Sequence, residues 1–262
     1  MSDFSPCAVI PVYNHEHAIG AVVAAVLAHD LPCILVDDAS SASCAAVLDT
    51  LAAEFHQQVT LLRHPLNRGK GGAVLTGTQH AADSGYTHAL QIDADGQHNT
   101  DDIQRFLQYA KNQPAALIAG CPQYDESVPK HRLYARYITH VWVWINTLSL
   151  DIKDSMCGFR VYPLPSLLAL SRRQVLGERM NFDIEVLVRL YWDGVDIVNV
   201  PTKVGYPTDG VSHFRAGLDN LLISRLHAIL FFGMLLRAPK LLGRRLFRQF
   251  SNKSERKPRA PQ

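Results

Sequence analysis

The segment Leu90-Gln-Ile-Asp-Ala-Asp-Gly-Gln-His98 ends an apolar run in two carboxylates, Asp93 and Asp95, followed by the amide of Gln97. These are hard oxygen donors of the kind a divalent cation takes, and a cation held there attracts a diphosphate. With 18 Asp in 262 residues, about one Asp-x-Asp is expected by chance, so the spacing alone carries little. Its position carries more, because a buried strand of a parallel sheet delivers its last residues to the edge where ligands bind.

Three other apolar runs end in the same way. Pro11-Val-Tyr-Asn14 with Glu16 closes the first, Val36-Asp-Asp-Ala-Ser40 the second, and Asn67-Arg-Gly-Lys-Gly-Gly72 follows the third. Taken singly, Asn14 and the pair Asp37 and Asp38 read equally well as turn formers or helix caps. Taken together in a parallel sheet, Pro11, Tyr13, Asn14, Glu16, Asp37, Asp38, Gly69, Lys70 and Asp93 converge on one crevice, which makes them candidates for gripping a phosphorylated ligand. The glycine run from Gly69 to Gly77 lacks the G-x-x-x-x-G-K-[ST] order and follows the third strand, which argues against both ATP hydrolysis and a dinucleotide fingerprint. The 12 His show no H-E-x-x-H spacing, and only His98 stands beside the carboxylates.

The elements that must position these residues follow from periodicity. Runs at Ala8–Val12, Cys33–Val36, Val59–Leu62, His88–Ile92 and Ala116–Ala119 predict strands. Ala18–Ala28, Ala45–Phe55, Gly72–Ala82 and Asp101–Ala110 carry helical apolar spacing, the last with Thr100-Asp101-Asp102 as its cap. Alternating β and α with apolar strands predicts an α/β fold, a mostly parallel sheet with helices on both faces and right-handed crossovers. Residues 1–122 form the half that binds the nucleotide in this reading. From 123 to 217 the rhythm changes: a helix at Leu133–Leu150, a strand at Gly158–Tyr162, a helix at Phe182–Trp192 and a strand at Asp196–Val200 would form the acceptor side.

Composition favours one large domain with a full core. The net charge of +2 hides an asymmetry: the stretch Arg237–Arg259 holds nine basic residues and one Glu, leaving 17 basic and 23 acidic residues elsewhere. Such a basic end fits an anionic neighbour, a lipid surface or a nucleic acid. The five cysteines are scattered without C-x-x-C spacing, which argues against a disulfide frame and a zinc site and fits a reducing cytosol. The N-terminus lacks the pattern of a signal peptide.

The apolar stretch Leu218–Leu236 is divided by Arg225, and the uncharged run from Leu226 is only 11 residues, against roughly 20 needed to span a bilayer. Pro239 then opens a second helix in which Lys240, Arg244 and Arg248 recur beside Leu242, Leu246 and Phe250. The expectation is a pair of amphipathic helices over 218–250 lying in the interface of an anionic leaflet, followed by a disordered basic tail at 251–262. Packing of Leu218–Leu236 against the sheet is the competing reading. Tyr137–Leu150, with Trp142 and Trp144, reads as a guide for a lipid tail or as an ordinary core helix.

From Ala8 to Phe214 the motifs Pro11-Val-Tyr-Asn14, Val36-Asp-Asp-Ala-Ser40, Asn67-Arg-Gly-Lys-Gly-Gly-Ala73, Asp93-Ala-Asp-Gly-Gln-His98, Asp154-Ser-Met-Cys-Gly-Phe-Arg160 and Gly210-Val-Ser-His-Phe214 stand in this order. The pattern resembles the family 2 glycosyltransferases, and within them the dolichol-phosphate-mannose-synthase-like branch of polyprenyl-phosphate glycosyltransferases. The resemblance implies a GT-A, Rossmann-like fold, a nucleoside-diphosphate sugar donor, a divalent metal (Mg²⁺ or Mn²⁺) and inversion at the anomeric carbon. It places Asp38 and Lys70 at base and ribose, the metal on Asp93, Asp95 and Gln97, and Arg132, Arg160, Ser212 and His213 toward phosphates or acceptor. Asp95 and Arg160 then act directly in catalysis. The sequence departs from the usual pattern at His15, which interrupts an acidic pair, and at His213, where Lys is more common.

Two acceptor chemistries remain open. A lipid phosphate is already anionic and needs positioning by Arg, for which Arg132, Arg136 and Arg160 are at hand, whereas a hydroxyl must lose its proton to a base. Asp183, with Glu185 beside it at the start of a helix, is the candidate base, and helix capping is its alternative role. The leading expectation is transfer to a lipid-linked acceptor at the cytoplasmic membrane face by a peripheral protein. Alternatives are transfer to a hydroxyl in envelope glycan or glycolipid synthesis, a sugar nucleotidyltransferase, whose glycine-rich Arg loop after the first strand is missing, and a non-catalytic binding module. A module binding nucleic acid has no use for convergent carboxylates, so no nucleic-acid partner is expected.

Overall fold

The computed structural model describes residues 4–123, 130–205 and 215–255, and side chains at all of these except 130–132, 135, 216 and 247–255. Seven strands, β1 (Pro6–Val12), β2 (Cys33–Asp37), β3 (Val59–Arg63), β4 (His88–Gln91), β5 (Leu117–Gln123), β6 (Arg160–Pro163) and β7 (Ile197–Lys203), form one sheet in the order β3-β2-β1-β4-β6-β5-β7. Alternate residues of β1 enter opposite cores. Ala8, Ile10 and Val12 face one and Cys7 and Val9 the other, as a sheet covered on both sides requires.

The first core packs α1 (Ile19–Leu27), α2 (Ala42–Glu54) and α4 (Ile103–Asn112) through Val22, Val26, Leu48, Phe106 and Leu107. The opposite face takes α3 (Lys70–Asp83), which lies very close to the sheet. A Cβ at Gly77 would sit 2.4 Å from Val9 Cγ1 and 3.0 Å from Val36 Cγ2, so no larger residue fits there. A third core joins α5 (Lys130–Thr147), α7 (Phe182–Asp193) and α8 (Ala216–Glu255) around Val143, Leu187, Leu190 and Leu230.

The α/β expectation holds, with four differences in detail. β6 runs antiparallel between β4 and β5, so β4 and β5 are parallel in direction but not neighbours. A helix the sequence reading missed, α6 (Leu164–Arg173), starts between Pro163 and Pro165. Proline in a first turn loses no hydrogen bond, because those N–H groups have no helical acceptor. The turn before α4 is capped by Asn99, whose Oδ1 accepts from Asp101 N at 3.3 Å, rather than by Thr100.

The fourth difference is at the C-terminus, where one continuous helix of 40 residues replaces the expected pair, with Pro239 in its interior and its end at Glu255 inside the expected tail. Ile223, Leu226, Leu230, Met234 and Leu241 bury one side of α8, and that packing holds a helix together across a proline that its local sequence disfavours. Several of its basic groups turn inward. Arg244 donates to Tyr191 O (2.7 Å), Gly194 O (2.8 Å) and Asp196 Oδ1 (2.9 Å), capping the carbonyl end of α7, and the Arg237 guanidinium lies 4.7 Å from the Trp192 ring centre. By length and composition, Gly217–Leu246 is apolar enough to cross a membrane, with 28% of its window buried. Its other side exposes Leu221, Phe232 and Leu236.

Candidate active site

The chain order reverses across the sheet between β1 and β4, since β1, β2 and β3 run outward one way and β4 lies on the other side. This is the crevice where α/β sheets bind ligands, beyond the carboxyl ends of the strands. Pro11 pairs with Val36 and Val12 with Asp37, while Val9 is level with Gln91. Asp93 and Asp95 therefore leave β4 beside the polar ends of β1 and β2.

The first three strand ends are knitted together. Asn14, in the left-handed region at φ 53°, accepts from Ser41 N at 2.7 Å while its own N–H donates to Ser40 Oγ at 3.2 Å. Glu16 accepts from the Ser43 hydroxyl at 3.2 Å, and Pro11 and Tyr13 are half-buried on the same segment. Asp37 is buried, accepting from Ser40 N and pairing with Arg63 Nε, each at 2.9 Å. Asp38 is buried as well. Its Oδ1 meets His64 Nδ1 at 2.7 Å and Arg68 N at 2.8 Å, and its Oδ2 accepts from Gly69 N at 2.7 Å. Asp38 thus folds the loop that starts α3, and His64, which the sequence reading set aside with the other histidines, anchors it from Thr76 at 2.9 Å.

That loop delivers Lys70 to the centre. Its Nζ lies 2.8 Å from Asp93 Oδ1, 3.0 Å from Asp93 Oδ2 and 2.9 Å from Asp183 Oδ2; it donates to Asp93 Oδ2, while the buried Asp93 Oδ1 is in ion-pair range but accepts no hydrogen bond. Burial alone would lower the Lys70 pKa, but Asp183 and Asp93 outweigh it and hold the ammonium well above the ordinary lysine range. Asp93 shifts the opposite way: burial would raise it, and Lys70 and His98 hold its carboxyl well below the usual carboxylate range. His98 Nε2 approaches Asp93 Oδ2 at 3.4 Å, its ring stacked 5.4 Å from Phe159. Gly158 completes the enclosure, since a Cβ there would lie 2.2 Å from Asp93 Oδ2.

Asp95 is placed differently. It is half-buried, its Oδ1 accepts from Gln97 N at 3.0 Å, and Gly96 between them takes φ 72°. The Gln97 backbone is tied to Gly205 N through its carbonyl at 2.9 Å.

Asp183 opens α7 with its side chain turned into the cluster, accepting from Gln91 Nε2 at 3.2 Å, while Glu185 points away to Gly177 N (2.8 Å) and Arg189 (2.7 Å). Gln91 in turn accepts from Tyr162 OH at 3.0 Å. Neither Gln91 nor Tyr162 was singled out in the sequence, although a polar residue inside the apolar run of β4 was a visible signal. Arg160 corrects the sequence reading. It is fully buried, donating to Ser155 O (2.8 Å), Cys157 O (2.7 Å) and Asp183 O (2.6 Å), so its guanidinium braces the backbone under the cluster instead of facing a phosphate. Arg136 is paired in two bonds of 2.7 Å with Asp154. Ser212 and His213 lie outside the described residues, as does the side chain of Arg132. Among the described residues no group of three or more His, Cys, Asp or Glu is arranged to hold a metal ion by itself.

Residues 7–178 match the family described as glycosyl transferase family 2. The chain belongs to that family. This glycosyltransferase is 28% identical over 213 residues to the UDP-N-acetylglucosamine–dolichyl-phosphate N-acetylglucosaminyltransferase of Methanococcus voltae, covering 76% of this chain and 84% of that protein. It is 27% identical over 221 residues to the undecaprenyl-phosphate mannosyltransferase of Micrococcus luteus, covering 80% and 87%. Among solved structures, glucosyl-3-phosphoglycerate synthase from Mycobacterium tuberculosis, in complex with Mn²⁺, UDP-glucose and phosphoglyceric acid, superposes with a TM-score of 0.65 at 13% identity over 88% of this chain and 80% of that one. A mannosyltransferase from Pyrobaculum calidifontis with GDP-mannose and Mn²⁺ gives 0.57 at 15% identity over 89% and 64%. The last two establish that the glycosyltransferase shares the GT-A fold.

Proposed function

We propose that the enzyme moves a sugar from a nucleoside-diphosphate sugar to a polyprenyl-phosphate-like acceptor, with inversion, at the cytoplasmic face of a membrane. The observation that carries this reading is the meeting of Lys70, Asp93 and Asp183 beyond the end of β4, with Asp95 two residues on in the same segment, at the point where the strand order reverses. The polyprenyl-phosphate acceptors named for the relatives support the acceptor class.

The donor set fits a divalent ion of the Mg²⁺ or Mn²⁺ kind. Such ions keep water and phosphate oxygens and need only one or two protein carboxylates, and Asp95 offers Oδ2, which takes no hydrogen bond from a described residue. Asp95, with Asp93 behind it, would hold the ion, and Gln97 would contribute through the turn it closes. When bound, the ion supplies Lewis-acid neutralisation of the charge that grows on the departing nucleoside diphosphate. The chain does the rest. The loop held by Asp38 brings the Lys70 ammonium to the same charge, Pro11, Tyr13, Asn14 and Asp37 wall the nucleotide side, and Gly69 lets the loop approach closely.

An anionic acceptor is favoured over a hydroxyl by the state of Asp183, whose two oxygens already meet Lys70 and Gln91. The contacts expected for that acceptor fall to the Arg132 guanidinium, with Ser212 and His213 as hydrogen-bond donors, since Arg160 and Arg136 are engaged internally. The exposed apolar side of α8 beside Tyr137, Ile138 and Trp142 of α5 supports a peripheral seat in the membrane interface.

A thermal-shift screen of nucleoside diphosphates and their sugars, with and without Mn²⁺, tests the donor. Ligand at a hundred times its dissociation constant stabilises by about 2.7 kcal/mol. A hit that appears only with metal, followed by release of nucleoside diphosphate that requires added polyprenyl phosphate, is expected. Release that requires a neutral hydroxyl acceptor instead would replace the acceptor reading, and absence of any nucleotide hit would reject the donor.

A further inference from the structure

The carboxylate pair of β4 does not present two equivalent ligands. Asp93 is backed by Gly158, where even a methyl group would overlap its Oδ2, and flanked by His98. The cation against it is Lys70, at 2.8 and 3.0 Å. A divalent ion brought to Asp93 would meet this ammonium at short range and be repelled. Asp95 alone is a single carboxylate, too little for tight capture of a hard cation that wants six oxygens.

We propose that Lys70 is a built-in counter-cation that bars Mn²⁺ or Mg²⁺ from Asp93 until a diphosphate draws it away, so that the ion enters only together with the nucleotide. The ammonium would move from carboxylate to phosphate oxygens and stay in the site, and the two positive charges of the entering ion would be matched by the two negative charges of the sugar-nucleotide diphosphate, with Asp93 and Asp95 as the residues that would hold the ion. Asp183 would recapture the lysine when product departs, since its Oδ2 lies 2.9 Å from Nζ. The nucleotide half of this inference rests on the donor reading above. The lock on Asp93 does not.

The test is a titration of Mn²⁺ into the full chain, with free aqueous Mn²⁺ followed by electron paramagnetic resonance and folding checked by circular dichroism. Wild type alone is expected to leave Mn²⁺ free at concentrations where Lys70→Met alone holds one equivalent, a gain in affinity of at least about tenfold. Lys70→Arg, which keeps the charge, gains nothing. Adding Asp93→Asn to Lys70→Met cancels the gain, which a general loosening of the site would not do. If Lys70→Met does not fold, Lys70→Gln carries the same comparison. Wild type that takes up one equivalent of Mn²⁺ alone as tightly as the folded Lys70 variant overturns the lock. UDP and GDP are added in a second arm, and one of them should bring Mn²⁺ onto wild type. Failure of both with a gain in Lys70→Met keeps the lock and rejects these nucleotides as carriers of the ion, whereas uptake with nucleotide but no gain in Lys70→Met rejects the lock and keeps the donor.

Discussion

Asp93 and Asp95 are two residues apart and live in different surroundings. Asp93 sits inside a shell of Lys70, His98 and Gly158, while Asp95 stands in a turn with one oxygen bonded to Gln97 N. Asp95→Ala is therefore expected to keep its melting temperature and lose transfer about a hundredfold, roughly 3 kcal/mol of transition-state stabilisation, as read from steady-state rates at saturating donor. Gly158→Ala should behave otherwise. The added methyl has nowhere to go but into Asp93, so both stability and activity fall, by about 1–3 kcal/mol in denaturant unfolding as for other overpacked sites. Asp93 and Asp95 were legible in the sequence because they end an apolar run, and Lys70 because its glycine-flanked loop follows another. Gln91 and Tyr162 were not, since their meeting depends on the pairing of β4 with β6, two strands separated by some 70 residues of chain. Arg160 was misread for a related reason: sequence gives its charge but not the three carbonyls that enclose it.

At the level of elements, strands buried on both faces announce themselves, as Cys33-Ile-Leu-Val36 does with every side chain covered. Neighbour relations do not, and the antiparallel β6 could be recognised as a strand without any sign of its place between β4 and β5. Local rules also failed at α8, where Pro239 marks a helix start in isolation and the long buried side overrides it. Arg244, which its spacing with Lys240 and Arg248 assigns to a basic face toward an anionic leaflet, closes the carbonyl end of α7 instead. Bonds from a cation to such carbonyls are worth about 1.5–3 kcal/mol each at most when shielded from water. Arg244→Ala is expected to lower the unfolding midpoint and to make α8 more open to limited proteolysis than it is in wild type. Unchanged cleavage of α8 would mean that its apolar side alone holds it.

For the molecule as a whole, the proposed membrane seat sets charge on the basic C-terminal end against apolar contact along α8. With Arg237 over Trp192 and Arg244 bound inward, the groups left outward on α8 include Phe232 (67% exposed) and Leu236 (84% exposed). Burying two such side chains is worth roughly 3–6 kcal/mol. Phe232→Ser with Leu236→Ser should reduce co-sedimentation with vesicles at least about tenfold, on neutral as well as anionic lipid, while raising salt should reduce wild-type binding only modestly. A collapse of binding at high salt, with the double variant unaffected, would assign attachment to charge.

Trp192 is roofed by α8: Gly233 leaves space for its ring, with a Cβ there falling 2.9 Å from Cη2, and its indole N–H donates to Asn146 O at 2.8 Å. A shortened version of the chain that stops near residue 217, the obvious way to rid a preparation of its greasy end, would strip this lid and bare Leu187, Leu190 and Trp192 together. Such a fragment should precipitate or cling to detergent more than the intact enzyme does, because the helix with the most exposed apolar surface is also the cover of an apolar face on the catalytic body.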